Sequence, residues 1–90
     1  MKLSEKFSIP KEVMARTVGD ETVILDLAKG TYFVLNPVGA RIWELMGEGH
    51  TLVDICGQML DEYEVSREEL ERDTMKLAQE LAAQGLICSA

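Results

Sequence analysis

TYFVLNPVGARIWELM, residues 31–46, decides the fold. Its first five residues, Thr31, Tyr32, Phe33, Val34 and Leu35, carry no charge and are rich in aromatic and β-branched side chains, as a pleated strand favours. Asn36 then offers a side-chain oxygen suited to an N-cap. Pro37 fits the first helical position, where no backbone N–H is needed. Ile42, Leu45 and Met46 follow at helical spacing, with Trp43 beside them. One Asn-Pro step thus converts a strand into a helix. The residues before it read as strands that pair with Thr31–Leu35, and those after it as helices that pack on the new helix.

Upstream, Val13–Val18, stopped by Gly19-Asp20, and Glu21–Leu27 predict two more strands. A two-residue Lys29-Gly30 loop would pair Leu27 with Tyr32 and Leu25 with Val34. One face of that hairpin then holds Val23, Leu25, Leu27, Tyr32 and Val34, and the other holds Ile24, Asp26, Phe33 and Leu35. The first face is free of charge, so it is expected to face the core. Residues 1–12 are expected to form a flexible N-terminal arm, with Phe7 and Ile9 touching a single domain at 13–90.

Downstream, a helix over 37–46 is ended by Gly47 and Gly49. A second begins at Thr51, which forms a capping-box-like pair with Asp54. Its apolar stripe is Leu52, Ile55, Cys56, Met59, Leu60 and Tyr63. A third begins with Ser66 and Glu69 and carries Leu70, Thr74, Leu77 and Leu81 on one face, with Ala78 and Ala82 alongside. Gly85 closes it, and Leu86-Ile87 turn back toward the core. Glu68 with Arg72 and Lys76 with Glu80 stand at i+4 on its solvent side. Strands followed by helices predict an α+β domain. The expected form is winged helix-turn-helix-like, a three-stranded antiparallel sheet followed by three helices.

Composition limits the function. Nine basic against sixteen acidic residues give a net charge of −7, which opposes any surface that works by neutralising phosphates. The third helix would be the one to enter a DNA groove, yet it carries five acidic residues from Glu68 to Glu80 against Arg67, Arg72 and Lys76. No nucleic-acid partner is expected. No apolar run is long enough to span a bilayer and no signal-peptide core is visible, so a cytoplasmic protein without a membrane partner is expected. Cys56 and Cys88 read as free thiols, and Cys56 has no histidine marked as a catalytic partner. The one histidine, His50, reads as a loop residue ahead of an N-cap. Glu68, Glu69, Glu71 and Asp73 suit the start of a helix as a solvated face. No catalytic constellation, metal set or cofactor motif is present, and no enzyme activity is expected.

The strand Thr31–Leu35 has no charge and no proline to blunt it, although it lies at an edge of the expected sheet. Such an edge is either covered, paired in a homodimer, or used to accept an extended peptide by strand addition. A small winged-helix regulator or a protein–protein dimerisation module is the alternative reading.

Certain residues carry a family likeness. Leu35-Asn36, Gly39-Ala40, Ile42-Trp43-Glu44-Leu45, Thr51-Leu52-Val53-Asp54-Ile55 and Gly85-Leu86-Ile87, in this order, resemble the family of the pyrroloquinoline quinone synthesis protein D. The resemblance runs over about residues 13–88. It implies a winged-helix-like domain that binds the leader of a ribosomally made precursor peptide and presents it to a modifying enzyme, often a radical S-adenosylmethionine enzyme. Synthesis of pyrroloquinoline quinone is one of several pathways its members serve. The resemblance further implies that the leader lies antiparallel on the third strand, at Thr31, Tyr32, Phe33, Val34 and Leu35. The groove beside it would be faced by Leu70, Asp73, Thr74 and Leu77 of the third helix.

Overall fold

The Asn36-Pro37 step divides the molecule into a sheet and a helical body. A computed structural model describes residues 2–90. In chain order the elements are β1 (Phe7–Ser8), β2 (Val13–Val18), β3 (Glu21–Asp26), β4 (Thr31–Leu35), α1 (Pro37–Gly47), α2 (Leu52–Glu62), α3 (Arg67–Ala83) and β5 (Cys88–Ser89). β2, β3 and β4 form an antiparallel sheet in that order, and β1 pairs with β5 in a separate two-stranded ribbon. The result is the expected α+β arrangement of a three-stranded sheet followed by three helices.

Local chemistry sets each helix start. Asn36 Oδ1 accepts from Gly39 N–H at 2.8 Å, Thr51 Oγ1 from Asp54 N–H at 3.2 Å and Ser66 Oγ from Glu69 N–H at 3.2 Å. Each satisfies one of the orphan donors that open a helix. At the other end of α3, Gly85 takes a φ of +73°, a conformation open to glycine at little cost. Gly85 N–H donates to Ala82 O and Leu86 N–H to Leu81 O, which returns Leu86 and Ile87 to the core at 2% and 3% exposure. The core is one cluster. Ile24 and Leu35 enter it from the sheet, Leu45 and Met46 from α1, Leu52, Ile55 and Met59 from α2, and Leu70 and Leu81 from α3.

The sheet buries the face opposite to the one expected. Ile24, Asp26 and Leu35 are buried and Phe33 is half-buried, whereas Leu25, Leu27, Tyr32 and Val34 are exposed. The lone charge on the buried face misleads because it sits at the last residue of β3 and belongs to the turn. Asp26 Oδ1 accepts from Ala28 N–H at 3.0 Å and from Lys29 N–H at 3.2 Å, so its carboxylate is satisfied where it is buried. The hairpin also differs from the two-residue loop. Asp26 opposes Thr31 and Leu25 opposes Tyr32, leaving a four-residue connection closed by Gly30 N–H to Asp26 O at 2.8 Å. The displacement is by two residues, so the membership of each face is unchanged.

Within the stretch expected to form a flexible arm, 1–12, of which residue 1 lies outside the described residues, Leu3, Glu5, Phe7 and Ser8 contact the body. Phe7 is buried, and Phe7 and Ser8 pair with Ser89 and Cys88. The carbonyls of Leu3 and Glu5 accept from Val53 N–H at 2.8 Å and Leu52 N–H at 3.2 Å, satisfying two first-turn donors of α2. A two-residue strand leaves no periodicity to read, and its partner lies at the far end of the chain. On α3, the ion pair formed is Arg67 with Glu71 at 3.4 Å. Glu68–Arg72 and Lys76–Glu80 are not among the ion pairs of the described residues.

Replacing Phe7 by alanine is expected to cost about 3 kcal/mol, the range of a buried aromatic truncation. Urea unfolding checks this, since a freely moving arm would give almost no change.

Candidate functional site

The hydrogen-bond phase of the sheet shows which backbone groups of β4 are unused. Leu27 N–H donates to Glu12 O at 2.8 Å, one step beyond the pair Val13–Asp26. Hydrogen-bonded pairs alternate along an antiparallel ladder. Thr22, Ile24 and Asp26 therefore turn their main-chain groups toward β4, where they face Leu35, Phe33 and Thr31. Tyr32 and Val34 are left with N–H and C=O pointing away from the sheet. β4 is an edge strand, so these two residues form an open row of donors and acceptors.

A groove of about 500 Å3 runs beside that edge. Phe33, Val34 and Leu35 make one wall. Glu69, Leu70, Asp73, Lys76, Leu77 and Glu80 of α3 make the other. Val38, Gly39 and Ile42 of α1, Met59 and Tyr63 near the end of α2, and Val65 complete it. Its interior is apolar and its α3 rim is charged, the usual make-up of a binding cleft.

Of the residues named from sequence, Phe33, Val34, Leu35, Leu70, Asp73 and Leu77 come together at this groove. Thr31 and Tyr32 belong to the same strand but lie outside the lining, and the Tyr32 ring stands on the outer sheet face at 70% exposure. Thr74 is displaced from the groove altogether. It is fully buried and sets its hydroxyl against the buried Cys56 thiol. One position along a helix turns a side chain by about 100°, so Thr74 points into the core while Asp73 lies on the rim. Sequence reasoning passed over Glu69, Lys76 and Glu80. Their signal is their spacing of three and four residues around Asp73.

α1 and α2 are tied together by Arg41. Its Nε donates to Glu62 Oε1 at 2.9 Å and its Nη2 to Glu62 Oε2 at 2.8 Å, while Nη1 reaches Glu44 Oε1 at 2.7 Å. The hydrogen bonds from Arg41 hold the Glu62 carboxyl below the usual carboxylate range, and the same contact keeps Arg41 more firmly protonated. A carboxyl depressed on folding stabilises the fold above its unfolded pKa. That contribution is lost as pH falls through the lower, folded value.

The other reactive side chains stand apart. His50 Nε2 lies 3.4 Å from Glu48 Oε1 and 3.4 Å from Gln58 Nε2, in the loop before α2. Cys56 is fully buried, and burial pushes its thiol pKa up. Cys88 is exposed. Among the described residues no group of three His, Cys, Asp or Glu side chains is placed to hold a metal ion, and no helix is long and apolar enough to cross a membrane.

Fold and groove together define a small α+β domain whose sheet ends in an edge strand, open on one side, beside a helical cleft. The family model of the coenzyme PQQ synthesis protein D (PqqD) matches residues 21–87, and the chain belongs to that family. Two solved structures are similar over nearly the whole chain. TbiB1 in complex with the TbiA(beta) leader peptide is 39% identical, with 89% of this chain and 93% of that one covered and a TM-score of 0.82. Lasso peptide synthetase B1 complexed with the leader peptide is 30% identical, with 92% and 98% covered and a TM-score of 0.84. No curated protein matches.

The contrast between a buried Cys56 and an exposed Cys88 predicts their reactivity. A disulfide reagent should titrate one thiol, Cys88, in the native protein and both in denaturant. Rapid native labelling of Cys56, read by peptide mass mapping, would contradict the closed core around α2.

Proposed function

We propose that this chain binds the leader segment of a ribosomally made precursor peptide. The leader adds as a strand to β4, and the chain, with no catalysis of its own, presents the precursor to a peptide-modifying enzyme. The observation that carries this reading is the unused pair of backbone faces at Tyr32 and Val34, placed directly beside an apolar groove. A strand laid there completes the ladder with its main chain and sends alternate side chains over Leu70 and Leu77. The two similar structures, each holding a leader peptide, support it. The second, a lasso peptide synthetase component, favours a precursor of the lasso-peptide class over a quinone-cofactor precursor and its radical S-adenosylmethionine enzyme.

The energetics suit an adaptor. Two outward-facing residues can make up to four main-chain hydrogen bonds, each contributing ~0.5–1.5 kcal/mol net. Burial of apolar leader side chains adds about 25 cal/mol per Å2. Ordering a disordered leader offsets several kcal/mol of that sum. Affinity is then moderate, as suits a protein that must hand its cargo on.

Neighbouring positions of β4 test the edge because their N–H groups point in opposite directions. Val34→Pro removes an outward donor and leaves the ladder to β3 intact. It should stay folded by circular dichroism and bind a labelled synthetic leader peptide, of the kind held by the two similar structures, about tenfold or more weakly. Phe33→Pro breaks the bond to Ile24 and should lower the melting temperature instead. A folded Val34→Pro protein with undiminished affinity would sink strand addition at this site.

A further inference from the structure

We infer that the groove selects leader segments carrying lysine or arginine on the side facing α3, and rejects acidic ones. The inference rests on the leader-binding reading and adds the chemistry of the preferred sequence. Four charged residues line the groove, Glu69, Asp73, Lys76 and Glu80, and all four are on α3. The opposite wall, Thr31–Leu35, has no charge, and neither do the lining residues of α1 and α2. The rim is therefore net acidic against an apolar interior.

These carboxylates are exposed and unspent. None of Glu69, Asp73 or Glu80 takes part in the ion pairs found among the described residues, and Lys76 does not neutralise them in that way. Arg67, the basic residue nearest the start of α3, is engaged with Glu71. A carboxylate accepts hydrogen bonds and donates none, so the partner it seeks is a donor, best a cation. The low-dielectric groove floor beside the rim strengthens such a pair relative to one in open water. It strengthens the repulsion of an acidic leader residue as well, which supplies discrimination of both signs.

Dimensions agree with a peptide occupant. From Glu69 to Glu80 the helix rises about 16 Å at 1.5 Å per residue. That is close to the length of about five extended residues, and β4 itself has five. A strand added to β4 is thus long enough to match the acidic stripe in extent. Its groove-facing residues recur every second position. Those near the floor would be apolar, and those reaching the rim would meet Glu69, Asp73 or Glu80.

A displayed library of random short peptides tests this without knowledge of the natural leader. Selection on the intact protein at low salt should enrich binders, and their pool should hold roughly fivefold more Lys and Arg relative to Asp and Glu than the starting library. The enrichment should fade when selection is run in high salt. It should vanish on Asp73→Lys, which balances the two remaining acids against two lysines, and should reverse on the Glu69→Gln, Asp73→Asn, Glu80→Gln variant, which leaves Lys76 as the one charge on the rim; the fold of both is checked by circular dichroism. Binders without charge bias, or a bias that survives neutralisation, would overturn the charge preference and leave strand addition standing. A pool that enriches equally on Val34→Pro, or no enriched pool at all, would instead overturn the leader-binding reading, and the charge preference with it.

Discussion

The hydrogen bond from Gly39 N–H to Asn36 Oδ1, 2.8 Å long, is the contact on which the rest of the molecule depends. It decides where β4 stops and α1 begins. The residues on either side are tightly fitted. A Cβ at Gly39 would stand 3.3 Å from Asn36 Oδ1, closer than such atoms usually pack, and in van der Waals contact with Leu35 Cδ2 at 3.4 Å. Leu35 is anchored in the core just before the step, and Ile42 just after it. The angle between strand and helix is therefore set by packing on both sides of one capped turn. The groove is the space that this angle leaves between β4 and α3.

Leaving an edge strand open is normally hazardous, because unpaired backbone invites pairing with any extended chain. β4 has none of the usual protections of charge or proline. The counterweight lies elsewhere. A net charge of −7 makes copies of the chain repel one another, and the acidic rim of α3 stands directly beside the edge. A second copy approaching β4 would meet that rim before it could pair. Protection of the edge and selection at the groove can thus come from the same carboxylates.

The strand-to-helix step, the three capped helices and the strand carrying the open edge were legible in the sequence because each rests on local chemistry. Asn36, Thr51 and Ser66 cap where short polar residues before apolar stripes are expected to cap. What escaped was set by partners distant in the chain. Asp26 looked like a surface charge, and only the turn amides of Ala28 and Lys29 show why it can be buried. Phe7 looked like part of a loose arm, and only Ser89 reveals its strand. Thr74 was assigned to the groove by the family resemblance, whereas the apolar stripe of α3 put it on the packing face, where it is buried. Glu69, Lys76 and Glu80 were read as solvated residues, since nothing in the chain states that β4 will lie opposite them.

The pairing of β1 with β5 has a topological consequence. Ala90 N–H donates to Lys6 O at 3.0 Å, so the two ends of the described chain leave the domain side by side. A domain with adjoining ends can be carried within a longer polypeptide as an insertion, entering and leaving through one doorway without stretching either host segment. It can also tolerate circular permutation, with the old ends joined by a short linker and new ones opened at the exposed Leu27–Gly30 connection. The element that closes this small fold thereby also makes it portable.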